Sequence, residues 1–220
     1  MENYLFDFYN YKLKYDETVF LPTTISKLTA PKIFVKNKTV LDLGCGIGPL
    51  AIYFAKNGAK SVTASDIYDK HISFTKTNAE HNNVDIKVIK SDLYDNITET
   101  YDVICCDVSG VSKKVAKFTD WFPNGVPTAD DTGADIICNA IKQASKYLND
   151  NGELYICTTS FSDLHKIQEM MFEPIIVFDK DIPFSKELIN NVDKINPKSY
   201  KQKRTRYTWN FSLWKMKKKG

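Results

Sequence analysis

The sequence predicts an α/β fold: a mostly parallel sheet with helices on both faces. Three observations predict it. Short apolar runs alternate with helical stretches over residues 38–180, and such alternation requires crossover connections between parallel strands. The first run, Lys38 to Leu43, stops at three glycines spaced two apart, Gly44, Gly46 and Gly48, and an amphipathic helix follows at once. Near the end, Tyr207-Thr208-Trp209-Asn210-Phe211-Ser212-Leu213-Trp214 alternates aromatic or apolar with polar side chains. That period of two reads as a half-exposed antiparallel edge strand.

In chain order, residues 39–43 continue β-branched and aliphatic without polar alternation, as a buried strand does. Pro49 is a favourable first-turn residue for the helix predicted over 49–57, whose apolar positions are Leu50, Ile52, Tyr53, Phe54 and Ala55. A second strand, 61–65, closes on Asp66. A helix over 70–81 and a strand at 86–89 lead to the apolar strand 103–107. A helix over 134–148 stops at Asn151-Gly152, which turns into a strand at 153–158. A helix over 163–171 and a strand at 175–178 follow. With 207–214 this makes seven strands. Pro183 opens an irregular polar stretch to about Arg206. The chain reads as one domain, 1–220, with a cap or substrate segment (1–37), a cofactor-binding core (38–180), and a basic linker with the C-terminal strand (181–220).

Composition excludes several classes. The chain has 220 residues, 43% hydrophobic and 26% charged, as a soluble globular protein does. No stretch approaches the roughly 18 apolar residues of a membrane span, and the N-terminus lacks the basic start of a secretory signal, so a cytoplasmic location is expected. Cys45, Cys105, Cys106, Cys138 and Cys157 match no zinc spacing and read as reduced, buried thiols. Their neighbours give Cys105 and Cys106 a strand-packing role. His71, His81 and His165 read as surface helix residues, and no metal site is expected. Net charge is +3 but uneven: residues 191–220 hold ten Lys/Arg and a single acid, Asp193. Such asymmetry marks either a nucleic-acid contact or a solvated rim.

The glycine run is where chemistry enters. Glycines let the backbone approach a ligand, and the helix opening there presents unpaired N–H groups. Gly46-Ile47-Gly48-Pro49-Leu50-Ala51 fits the loose dinucleotide pattern G-x-G-x-x-A, which leaves a nicotinamide cofactor open. Three acids point elsewhere. Asp42 sits inside the first strand, where a carboxylate is costly without a partner. Asp66 closes the second strand, placed to accept hydrogen bonds from both ribose hydroxyls. Asp92 follows the third, placed to accept from an exocyclic adenine amine.

These residues resemble the class I S-adenosylmethionine-dependent methyltransferases. The first motif of that family, an acid followed by G-x-G-x-G, stands here as Asp42-Leu43-Gly44-Cys45-Gly46-Ile47-Gly48. The second-strand acid matches Asp66, the adenine-side acid Asp92, and the fourth motif Tyr101-Asp102-Val103-Ile104-Cys105-Cys106-Asp107. The resemblance implies a Rossmann-like seven-stranded sheet and S-adenosyl-L-methionine as cofactor. It implies cofactor contacts from Asp42, Gly44, Cys45, Gly46, Gly48, Asp66, Ile67, Asp92, Leu93 and Asp107. A narrower resemblance, to the HemK-type glutamine N-methyltransferases, rests on Val19-Phe20-Leu21-Pro22-Thr23-Thr24 before the core and on the layout of 125–148. That group clamps a planar amide with Asn-Pro-Pro-Tyr after the fourth strand; this chain has Asp107-Val108-Ser109-Gly110.

Methyl transfer from a sulfonium is an in-line displacement in which positioning of the nucleophile contributes much of the rate. Asp107 is therefore the expected catalytic residue, orienting an amine or taking a proton; the alternative is that it caps the turn and touches the cofactor. Ser109, Trp121 and Phe122 are expected to contact substrate, the two aromatics from a long loop, unless they pin that loop to the core. The expected function is methylation of a nitrogen or oxygen on a small molecule or polypeptide. The alternatives are an RNA-base methyltransferase using the basic C-terminal tail, and a non-catalytic S-adenosylmethionine-binding regulatory subunit.

Overall fold

The computed structural model describes residues 4–119, 121 and 130–218. Phe122 and the Gly125-Val126-Pro127 turn lie outside the described residues. The chain opens on a hairpin, β1 (Tyr4–Phe8) and β2 (Tyr11–Tyr15), and a short helix α1 (Thr24–Thr29) capped by the Thr23 hydroxyl. Then come β3 (Thr39–Leu43), α2 (Pro49–Lys56), β4 (Ser61–Asp66), α3 (Asp69–His81), β5 (Lys87–Lys90) and β6 (Tyr101–Cys106). The second half holds α4 (Lys113–Ala116), α5 (Asp135–Ala144), β7 (Leu148–Thr159), α6 (Leu164–Met170), β8 (Ile175–Pro183), α7 (Lys186–Asn190), β9 (Lys201–Lys203) and β10 (Arg206–Lys217).

Seven strands line up as β5-β4-β3-β6-β7-β10-β8, with short β9 added beside β10. The first five are parallel, and β10 runs antiparallel to both β7 and β8. The C-terminal strand is thus antiparallel, as expected, and sits one place in from the edge, which β8 supplies. Its polar positions explain this. Asn210 donates to Asp181 at 3.1 Å and the Ser212 hydroxyl to Asp179 at 2.9 Å, so the polar half of the alternation is satisfied by β8 rather than by water. The apolar half, Trp209, Phe211 and Leu213, is buried.

Side chains from both sheet faces form two apolar cores. One joins Leu50, Ile52 and Phe54 of α2 to Val40, Phe211 and the hairpin residues Phe8 and Leu13. The other packs α5 and α6 beneath Leu41, Ile104, Leu154 and Ile156. The predicted helix 134–148 ends earlier, at Ala144, and Leu148 already belongs to β7: Tyr101 N–H donates to Tyr147 O, so pairing with β6 overrides the helical period. The hairpin was not expected; it reverses at Tyr9, which takes φ 53°.

Candidate active site

β3 ends in the glycine turn at the carboxyl edge of the parallel strands. Gly44 and Cys45 N–H both donate to Ser65 O at 2.9 Å, fixing the loop to the end of β4. Gly44 has φ +81°, and a Cβ there would meet Val108 Cγ1 at 2.8 Å, so glycine is required for the loop to lie against the segment after β6. Gly46 has φ +54°, and a Cβ there would meet nothing within 4 Å: it opens onto a cavity of about 490 Å³. Thr75 of α3 donates to Gly46 O at 2.8 Å and Asn78 to Ile47 O at 2.9 Å, holding the turn from behind.

Gly44, Gly46, Asp66, Ile67, Asp92 and Leu93 line this cavity. Asp107, Ser109 and Trp121 line it too, with Ser26, Phe20 and Asn139. The expected residues therefore meet, with three exceptions that stand behind the loop. Asp42 is 1% exposed; its Oδ2 accepts from Ala51 N–H at 2.9 Å and its Oδ1 has no partner among the described residues. Burial, then the neighbouring Asp107, pushes its carboxyl up to about 8. Cys45 packs on Thr75, and Gly48 caps α2 at φ 90° with its would-be Cβ 3.1 Å from Thr75. These three shape the turn and do not reach the cavity wall.

Asp66 is more constrained than its strand position suggested. Gly46 N–H donates to one oxygen at 2.9 Å; Tyr68 N–H and His71 Nδ1 reach the other at 3.0 Å. His71 is only 6% exposed and lines the cavity, which corrects its reading as a surface residue. The spacing of five residues across a strand–helix junction was the available signal. Asp107 accepts from the Ser26 hydroxyl of α1 at 2.9 Å, a contact the sequence did not foretell although Ser26 lies two residues past the flagged Thr24. Burial raises the Asp107 carboxyl, opposed by hydrogen bonds from Ser26 and Cys157. Cys45, Cys105 and Cys157 are buried, free thiols whose burial raises them far from ionisation, so none is poised as a nucleophile. Trp121 packs at a tilt on Trp209, ring centroids 5.5 Å apart, which ties it to the core, and it also lines the cavity.

Residues 17–107 match the methyltransferase small domain family. The chain is 30% identical over 185 residues to a putative protein N5-glutamine methyltransferase of Methanocaldococcus jannaschii, across 82% of this chain and 94% of that protein. The chain belongs to the class I S-adenosylmethionine-dependent methyltransferases, in the HemK-related group. This methyltransferase is also 32% identical over 162 residues to the release factor glutamine methyltransferase of Streptococcus pneumoniae, covering 68% of this chain and 57% of that one. It therefore spans little more than half of that longer relative. A ribosomal protein L11 methylase structure from Lactobacillus delbrueckii subsp. bulgaricus shares the fold at TM-score 0.56 and 23% identity, over 88% of this chain and 77% of that one. The cofactor of this methyltransferase is S-adenosylmethionine, and the cavity fits it. Ser65, buried on the cavity wall with its hydroxyl unpartnered among the described residues, and the open side of Gly46 leave polar and steric room for a ribose and an amino-acid chain against the backbone.

Proposed function

We propose that this methyltransferase methylates a nitrogen of a polypeptide, with Asp107 holding the acceptor. Bound S-adenosylmethionine supplies an electrophilic methyl group. Gly44 and Gly46 offer it close backbone approach, Asp66 and Asp92 offer carboxylates to its hydroxyls and amine, and Ile67 and Leu93 offer apolar walls. The observation that carries the reading is the Asp107 carboxylate on the cavity wall, beside the loop and fixed by Ser26 from the N-terminal segment. A carboxylate only accepts hydrogen bonds. It suits the N–H groups of an amine, whose lone pair stays free to attack the methyl group, whereas a primary amide also presents a carbonyl that needs a donor. As the nitrogen–carbon bond forms, the nitrogen gives up a proton, and a carboxyl raised by burial is a better acceptor for it than an exposed one.

In this reading residues 1–37 form the acceptor-side cap, 38–180 the cofactor core and 181–220 the basic linker and C-terminal strand of one domain. Relatives named for release factor and ribosomal protein substrates support a polypeptide acceptor. Free, buried thiols, with no helix among the described residues long and apolar enough to cross a membrane, support a cytoplasmic location. The test is methyl transfer from labelled S-adenosylmethionine to proteins of a host extract, followed by identification of the modified amino acid. Label in a methylated amine supports the reading. Label confined to RNA assigns it to a base methyltransferase, and cofactor binding with no transfer to a regulatory subunit.

A further inference from the structure

We propose that the excursion between β8 and β10, together with α4, forms a docking surface for the phosphate backbone of RNA beside the acceptor cavity. The basic end of the chain divides in two when folded. Lys215 and Lys217 surround Glu153 at 3.1 and 3.8 Å, with Lys38 at 3.3 Å, and Lys218 lies 3.9 Å from Asp150. Those four lysines are engaged in ion pairs with two carboxylates at the amino edge of the sheet. The other group stands at the opposite edge. Phe211 of β10 pairs with Thr159, the end of β7, so residues before it project past the carboxyl edge, where the cavity opens. Lys201 there is paired with Asp181. Lys194, Lys198, Lys203, Arg204 and Arg206 are exposed and make no ion pair among the described residues. α4 and the residue after it add Lys113, Lys114 and Lys117, equally exposed and unpaired there, and Lys194 Nζ lies 5.4 Å from the Phe118 ring that follows them. Over 184–206 seven basic residues face two acids, Glu187 and Asp193.

This surface is built rather than loose. A run of ring contacts leads from the cavity wall to its tip: Trp121 to Trp209 (5.5 Å), Trp209 to Phe161 (5.6 Å), Phe161 to Phe184 (6.0 Å), Phe184 to Tyr200 (5.4 Å) and Tyr200 to Tyr207 (5.7 Å). Arg204, at φ 56°, occupies the two-residue turn joining β9 to β10. Arg204 and Arg206 are the chain's two arginines among thirty basic residues. Their planar forks match phosphate oxygens bidentately, and half-buried Tyr200 and Tyr207 between the cations offer faces for unpaired bases. An acidic polypeptide would engage the arginines but has no use for that aromatic interleaving. The methyl acceptor would then be a protein segment presented next to RNA.

The experiment titrates the full chain into a fluorescent single-stranded RNA of about 20 nucleotides and follows anisotropy at several salt concentrations. We expect affinity to fall steeply with salt, and K203E/R204E/R206E to weaken binding at least roughly tenfold at about 0.15 M salt. A second triple at the amino edge, K36E/K56E/K60E, controls for net charge and leaves binding unchanged; K113E/K114E/K117E serves if the first triple fails to fold. All must retain wild-type affinity for S-adenosylhomocysteine, which separates this surface from the cofactor site. Equal loss in both edges, no RNA binding, or polyglutamate competing as well as RNA overturns the proposal.

Discussion

The Asp107 carboxylate takes a 2.9 Å hydrogen bond from Ser26 and is lifted above the ordinary carboxylate range by burial. If it orients the acceptor and takes its proton, Asp107→Asn lowers kcat roughly a hundredfold while cofactor affinity stays within a few-fold. The wild-type kcat/KM then climbs with pH through the raised Asp107 value, and the Asn variant lacks that limb. An unchanged pH profile rules the role out. Two glycines separate fold from binding at the same scale. Gly44→Ala places a methyl 2.8 Å from Val108 in a left-handed conformation and should cost about 1–3 kcal/mol in denaturant titrations. Gly46→Ala meets no protein atom within 4 Å but shares the left-handed strain at φ +54°. It should cost less stability, about 1 kcal/mol, and show the rest of its effect as weaker S-adenosylhomocysteine binding in calorimetry. Equal stability losses in the two variants contradict that division. Gly44, Gly46, Asp66, Asp92 and Asp107 were legible because glycine spacing and strand-end acids are local signals. Ser26 and His71 were not, since each acts on a carboxylate from another element.

At the level of elements, Asn78 of α3 ties the hairpin to the cofactor loop. Its side chain is fully buried, accepts from Lys14 N–H at 2.7 Å, and donates to Lys14 O at 3.0 Å and Ile47 O at 2.9 Å. Asn78→Ala leaves those three groups without partners, which costs about 3–6 kcal/mol at roughly 1–2 kcal/mol per stranded group. It should also weaken cofactor binding, because Ile47 lies between Gly46 and Gly48. A destabilised variant with unchanged S-adenosylhomocysteine affinity would show that the hairpin and loop are independent. Element prediction succeeded where a segment's own period decides its state: β3 spans 39–43 as expected, and α3 differs by one residue. It failed where tertiary pairing decides. β7 begins at Leu148 because β6 pairs with it there, and β10 lies inside the sheet because β8 supplies acids to its polar face.

Over the whole molecule, two families of carboxylates push stability in opposite directions with pH. Asp130 is pulled down to about 2 by Thr132 and the Asp135 backbone despite its partial burial. Asp102 and Glu153 are lowered too, by hydrogen bonds from Asn149 and from Lys215, each against an opposing burial contribution. A lowered folded-state value means stability present above the unfolded value near 4 and lost as pH falls through the folded one. Asp42 behaves in reverse. Its folded value of about 8 exceeds the unfolded one, so the folded state holds the proton more tightly. Its contribution is full below about pH 4, declines as pH rises towards 8, and is gone above it. Together these groups place maximal stability at about pH 5, below the usual neutral optimum. Asp42→Asn keeps an acceptor for Ala51 N–H and removes the titration. The melting temperature of the wild type should therefore drop between pH 5 and about 8 more steeply than that of the Asn variant. The variant keeps only the decline from the raised Asp107 carboxyl and overtakes the wild type on the alkaline side. Parallel curves for the two proteins over that interval would mean that Asp42 is ionised in the fold and that its unpartnered oxygen is satisfied by solvent.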